Sequence, residues 1–147
     1  MDNTVIKDVS ITPLKIINTE GGNILHGLKM NENDFRGFGE AYFSIVESGA
    51  IKAWKRHRKM ILNIIVPVGA INFVIYDDRE ASKTKGCFQS VEISTDNYIR
   101  LSIPPMLWLG FQGCGSGLNM LLNIANILHD PMEADNMNQE DLNYDWS

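Results

Sequence analysis

The stretch Gly49–Gly86, GAIKAWKRHRKMILNIIVPVGAINFVIYDDREASKTKG, limits what this chain can fold into more than any other part of it. It opens with six basic residues in eight positions, Lys52, Lys55, Arg56, His57, Arg58 and Lys59, and then runs for seventeen residues, Met60 to Tyr76, without a charge. A run of that length approaches a membrane span. However, Asn63, Pro67, Gly69 and Asn72 interrupt it and β-branched residues dominate it, which argues against a membrane helix. Pro67-Val68-Gly69 divides the run into Met60–Val66 and Ala70–Asp77, expected as adjacent antiparallel strands joined by a tight turn. A cationic rim that feeds into a β-core suits an anionic ligand bound at the mouth of a β-structure.

Side chains alternate along a strand, so the basic cluster cannot act as one surface. Lys55, His57 and Lys59 share one face, and Lys52, Trp54 and Arg56 share the other. Only one of these sets can line a cavity, and the expected register points Lys55 and His57 inward, with Trp54 and Arg56 away from it.

The rest of the chain reads as short strands between turns. Val5–Ile17, with Pro13 inside it, suits an edge strand, and Ile24–Met30 and Glu40–Val46 read as strands around the polar loop Asn31–Gly39. Phe88–Ser94, Asn97–Ile103, Leu107–Gln112 and Asn119–Ile127 follow at short spacing, with turn residues at Thr95-Asp96-Asn97 and Gly113–Gly117. No helical period is sustained before residue 130, so the expectation is an all-β sandwich or barrel. The 147 residues are enough for one core and too few for two. They form one expected domain, 1–147, ending in an acidic tail over about 129–147. By composition that tail is as consistent with a solvated appendage as with a docked one. Tyr144 and Trp146 at its end argue for docking, since exposed aromatic rings would leave a large apolar area in water.

The net charge of −5 argues against nucleic acid as a partner. Two distant cysteines, Cys87 and Cys114, fit free thiols in a reducing cytoplasm, and no segment reads as an export signal or a membrane anchor. His26, His57 and His129 lack metal-ligand spacing, so no metal site is expected. There is no phosphate-binding glycine loop or nucleophile elbow, and Gly113-Cys114-Gly115-Ser116-Gly117 reads as a hairpin turn, not as a nucleophile site. Lys55, His57, Tyr42, Tyr76 and Tyr98 remain as candidates for acid–base work.

From Asp77 the residues fall into a longer pattern. Asp77-x-Arg79-x-x-Ser82-x-Thr84-x-Gly86-x-Phe88 is followed by Ser94-x-Asp96-Asn97-x-x-x-Leu101-x-Ile103-Pro104 and by Gly110-Phe111. This series resembles the dTDP-4-dehydrorhamnose 3,5-epimerase family, which reads D-x-R-x-x-S-P-T-x-G-x-W, L-S-x-E-N-x-x-x-L-x-I-P and H-G-F. Gly39–Ser44 and Ile51–Trp54 look like its preceding strands, and Asp130-Pro131 and Tyr144-Asp145-Trp146 look like its closing elements, so the resemblance spans about residues 39–147.

The resemblance implies a cupin-type jelly roll, that is, a double-stranded β-helix. It further implies a homodimer acting without metal or cofactor on a nucleotide-diphosphate sugar, in bacterial-type deoxysugar and surface-polysaccharide biosynthesis. The implied reaction is C3 or C5 epimerisation of a 4-keto sugar: one group removes a proton next to the ketone, and a second returns it to the other face. Lys55 stands at the family's histidine base, and His57 follows on the same strand face. Asn123 stands at its tyrosine acid and Leu109 at the histidine of H-G-F. The tail shows no match for the aspartate that backs the catalytic histidine. His57 and Lys55 are therefore the expected catalytic pair. His57 is favoured because an imidazole titrates near pH 6.5 and a lysine amine near 10.4. Lys52, Lys59, Tyr42, Asn123 and Trp108 are the expected substrate contacts. A non-catalytic nucleotide-sugar-binding module, or a ketoisomerase or lyase on the same scaffold, stays open beside the epimerase.

Overall fold

Segments of two to seven residues, mostly alternating in polarity, build the molecule, whose computed structural model describes residues 4–147. Met1–Asn3, with which the expected domain begins, lie outside the described residues. The first strands are β1 (Ser10–Pro13), β2 (Ile16–Ile17), β3 (Ile24–Leu25), β4 (Glu40–Ile45), β5 (Ile51–His57) and β6 (Leu62–Val68). They are followed by β7 (Ala70–Tyr76), β8 (Phe88–Ser94), β9 (Ile99–Ile103), β10 (Trp108–Gly113), β11 (Met120–Ala125) and β12 (Ala134–Asn136). Among the described residues there is no α-helix, only single-turn 3-10 helices at Pro131–Glu133 and Gln139–Asp141, and no helix is long and apolar enough to cross a membrane.

Two five-stranded antiparallel sheets carry the core, the first in the order β1-β9-β6-β11-β4 and the second in the order β12-β5-β10-β7-β8. They face each other as the jelly roll, a double-stranded β-helix of cupin type. Ile64, Val66, Leu101 and Leu121 of the first sheet pack in one buried cluster with Ile71, Phe73, Ile75 and Leu109 of the second. That alternation of buried with less buried residues is why these segments form strands.

The expected hairpin of Met60–Val66 with Ala70–Asp77 is not formed. Its strands, β6 and β7, lie in different sheets, β6 between β9 and β11 and β7 between β10 and β8. Between them the chain crosses from one sheet to the other at Gly69, whose φ of +77° favours glycine. A Cβ there would sit 2.3 Å from the Leu118 carbonyl oxygen and the Asn119 Oδ1. Periodicity marks a strand but not its neighbour. In the N-terminal part, Val5–Ile17 yields the short β1 and β2, and the strand expected over Ile24–Met30 shrinks to Ile24–Leu25. Beyond β3 the backbone is held by a side chain, the buried Arg100, whose Nη1 donates to the Gly27 carbonyl at 2.8 Å.

The acidic tail docks. β12 pairs with β5, setting Ala134, Asp135 and Asn136 opposite His57, Arg56 and Lys55. Farther along, Met137, Leu142, Tyr144 and Trp146 pack on Trp54, Val74 and Trp108, the buried outer face of the second sheet. The tail's charge complements the strand it joins. Asp135 pairs with Arg58 and, at 2.8 Å, with Arg56, and these bonds hold its carboxyl at about 2.

Candidate active site

A cavity of about 470 Å³ opens between the sheets, within the size range of small-molecule sites. From the second sheet, β5 supplies Lys52, Lys55 and His57, and β10 supplies Leu109 and Phe111. From the first sheet, β4 supplies Tyr42 and Ser44, β11 supplies Leu121 and Asn123, and β6 supplies Leu62 and Ile64.

Strict alternation separates Lys52 from Lys55 and His57, yet all three line this cavity. A register shift explains it. Leu109 pairs with Lys55 and Phe111 with Lys52, so β5 spends three residues where β10 spends two. This bulge in β5 brings Lys52 to the inner face, where its Nζ reaches across to the Ile45 carbonyl at 3.0 Å. Beyond the bulge the alternation holds. Arg56 turns outward onto Trp108 and into ion pairs with Asp78 and Asp135, and Trp54 packs into the ring cluster under the tail while also bordering the cavity, so the expected orientation holds for Arg56 and only in part for Trp54.

His57 has a carboxylate partner that the sequence reading did not find. Glu133, at the end of the Pro131–Glu133 turn, is 6% exposed, and its Oε1 lies 2.7 Å from His57 Nδ1. Its Oε2 accepts hydrogen bonds from the backbone N–H groups of Lys59 and Met60, both at 2.9 Å. Burial acts to raise the Glu133 carboxyl, but the bonds from His57, Lys59 and Met60 outweigh it and hold the group below the ordinary glutamate value. An ionised carboxylate at Nδ1 requires that nitrogen to carry the proton, which leaves Nε2 as the basic nitrogen at the cavity wall. The signal that could have revealed Glu133 is weak: a lone glutamate three residues after Asp130-Pro131, in a tail with several other acids.

The expected site residues thus divide. Lys52, Lys55, His57, Tyr42 and Asn123 come together around the cavity, and Asn123 Nδ2 donates to the Tyr42 hydroxyl oxygen at 3.2 Å. Trp108 does not join them. It lies on the opposite face of β10 from Leu109, donating its indole N–H to Asp78 at 2.9 Å and stacking under Arg56, whose guanidinium carbon lies 4.6 Å from the ring centroid. Lys59 lies past the end of β5 with an exposed side chain, outside the cavity lining, and contributes its backbone N–H to Glu133. Tyr98 and Tyr76 are also elsewhere, Tyr98 donating to the His26 carbonyl at 2.7 Å and Tyr76 packing against Phe88 on the outer face. Among the described residues no group of three or more His, Cys, Asp or Glu is placed to hold a metal ion.

No family model matches the chain. Individual proteins do. The chain is 30% identical over 142 residues to the probable low-salt glycan biosynthesis epimerase Agl13 of Haloferax volcanii, covering 95% of this chain and 89% of that protein. It is 26% identical to the spore coat polysaccharide biosynthesis protein SpsL of Bacillus subtilis, with 97% of each covered. Among solved structures, a dTDP sugar isomerase from Desulfovibrio desulfuricans G20 is 39% identical and superposes with a TM-score of 0.89, over 92% of this chain and 87% of that one. Near-complete coverage, that level of identity and the shared jelly roll agree with the motif series beginning at Asp77, and the chain belongs to the dTDP-4-dehydrorhamnose 3,5-epimerase family of nucleotide-sugar epimerases and isomerases.

Proposed function

We propose that the protein epimerises a nucleotide-linked 4-keto sugar at C3, C5 or both, within deoxysugar or surface-polysaccharide biosynthesis. The observation that carries this reading is the His57–Glu133 pair at the wall of a cavity also lined by Lys52 and Lys55. A ketone at C4 acidifies the C–H bonds on either side of it, because the electron pair left behind spreads onto the carbonyl oxygen. His57 removes such a proton through Nε2. The imidazolium that forms keeps its Nδ1–H bond to the Glu133 carboxylate, which orients the ring and offsets its new charge. Lys52 and Lys55 supply positive charge for the enolate oxygen and the diphosphate. Tyr42 and Asn123 contact the sugar from the other sheet. Free thiols at Cys87 and Cys114 fit a cytoplasmic enzyme.

The test is proton NMR of wild-type protein with dTDP-4-keto-6-deoxyglucose in deuterated water. The expected result is deuterium at C3 or C5 with inverted configuration at the labelled carbon. Migration of the carbonyl to C3 would make the protein a ketoisomerase. Binding without any deuterium entry would leave a nucleotide-sugar-binding module.

A further inference from the structure

Inverting a carbon centre requires a proton to leave one face of the sugar ring and another to arrive on the opposite face. A single base returns its proton to the side it came from. The cavity between the sheets has two such sides. His57 and Lys55 project from β5 in the second sheet and stay on that side of a ring held between the sheets, while Lys52, from the same strand, spends its ammonium on the Ile45 carbonyl of β4 at 3.0 Å. The first sheet lines the cavity with Tyr42, Ser44, Leu62, Ile64, Leu121 and Asn123, of which Tyr42 is the titratable one.

Tyr42 is also held as a proton donor would be. Tyr42 on β4 and Asn123 on β11 are directly paired across the ladder. Asn123 is 2% exposed, and its Nδ2 donates to the Tyr42 hydroxyl oxygen at 3.2 Å. This bond occupies a lone pair of the phenol oxygen, which leaves the O–H to point elsewhere. The Asn123 Oδ1 is buried without a partner among the described residues, an acceptor at the cavity wall that a sugar hydroxyl would satisfy. Asn123 occupies the position at which the resemblance sets a tyrosine acid. Tyr42 offers the same phenol from the neighbouring strand, about 5 Å away at the Cβ atoms of a directly opposed pair.

We propose that Tyr42 is the catalytic acid of this enzyme and that Asn123 is its positioning residue, an assignment that rests on the epimerase reading above. His57 Nε2 takes the proton from the carbon beside the ketone, and the C–H electron pair moves into a carbon–carbon double bond as the carbonyl becomes an enolate. The Tyr42 O–H then gives its proton to that carbon from the opposite face, and the enolate returns to the ketone. The phenolate regains a proton from water, and the imidazolium releases one to it.

Tyr42→Phe separates removal from return. With dTDP-4-keto-6-deoxyglucose in deuterated water, inversion should fall by about 10²-fold or more, a typical general-acid contribution. Deuterium should still enter with retained configuration, because His57 removes and returns protons on its own side. Unchanged calorimetric binding of thymidine diphosphate reports the fold of the variant. Asn123→Ala should shift the ratio of exchange to inversion in the same direction by about tenfold with KM little changed, whereas a purely structural role lowers exchange and inversion together. Inversion by Tyr42→Phe at the wild-type rate overturns the assignment, as does equal loss of exchange and inversion with binding intact. Wild-type protein that neither exchanges nor inverts overturns the epimerase reading, and this assignment with it.

Discussion

At Glu133, burial and hydrogen bonding act in opposite directions, and the balance between them fixes the state of His57. Because three donors keep the carboxyl below its ordinary value, it stays ionised at neutrality. Its help to His57 is lost only as the pH falls through that lowered value. Glu133→Gln keeps an acceptor for Nδ1 but removes the negative charge, so deuterium exchange should slow by about tenfold or more while thymidine diphosphate still binds. Rates measured by NMR alongside binding measured by calorimetry check this. An unchanged exchange rate would mean that the carboxylate only holds the Lys59–Met60 backbone. His57 itself was legible in the sequence through its chemistry and its place in the basic cluster. Glu133 was not, because its role depends on the tail folding back beside β5. Trp108 and Lys59 looked like substrate contacts because an aromatic ring and a cation near a motif resemble a ligand site. Their surroundings show Trp108 engaged by Asp78 and Arg56 instead, and Lys59 acting through its backbone.

Two elements explain where sequence periodicity succeeded and where it stopped. Most strands lie close to where alternation sets them, Phe88–Ser94 to the residue, but the bulge in β5 and the crossing at Gly69 depend on partners distant in the chain. The motif that carried the family resemblance belongs to the scaffold. Between β7 and β8 the fully buried Asp77 accepts from Arg79, Ser82 and Thr84, and Arg79 reaches on to the Lys7 carbonyl and Asp8. Burial raises the Asp77 carboxyl, but these donors outweigh it and push the group far below the ordinary aspartate value. Asp77→Asn should therefore cost roughly 3 kcal/mol at neutral pH, as expected when one partner of a buried ion pair is removed. The sign of the pH dependence follows from the lowered folded value. The stabilisation is present in full above the unfolded pKa of about 3.9, and it is lost as the pH falls from there through the folded value. Urea unfolding between pH 7 and pH 3 should show the gap between wild type and Asp77→Asn narrowing at the acid end. A constant gap would show that Asp77 acts by packing alone.

The whole molecule shows why the acidic tail is as much a part of the site as the basic strand. The same segment that buries Trp54 beneath Tyr144 and Trp146 also adds β12 to the sheet edge and delivers Glu133 to His57. The opposite end of the first sheet is left open. Among the described residues β4 has no neighbour on its outer edge, and Phe43 and Ile45 on its outward face are 65% and 55% exposed. An unpaired strand with exposed apolar side chains favours association, and we propose a homodimer that covers it. Sedimentation at micromolar protein should give about twice the 16.6 kDa chain mass, and Phe43→Asp with Ile45→Asp should return the monomer. A wild-type monomer would contradict the dimer without touching the chemistry. The chemistry itself is tested most directly by the rate of solvent-deuterium entry beside the C4 ketone of dTDP-4-keto-6-deoxyglucose, compared between wild type and His57→Asn at matched nucleotide occupancy. Exchange by wild type that slows by about 10²-fold or more in the variant is the result expected of a histidine base, and equal exchange rates in the two proteins would contradict it.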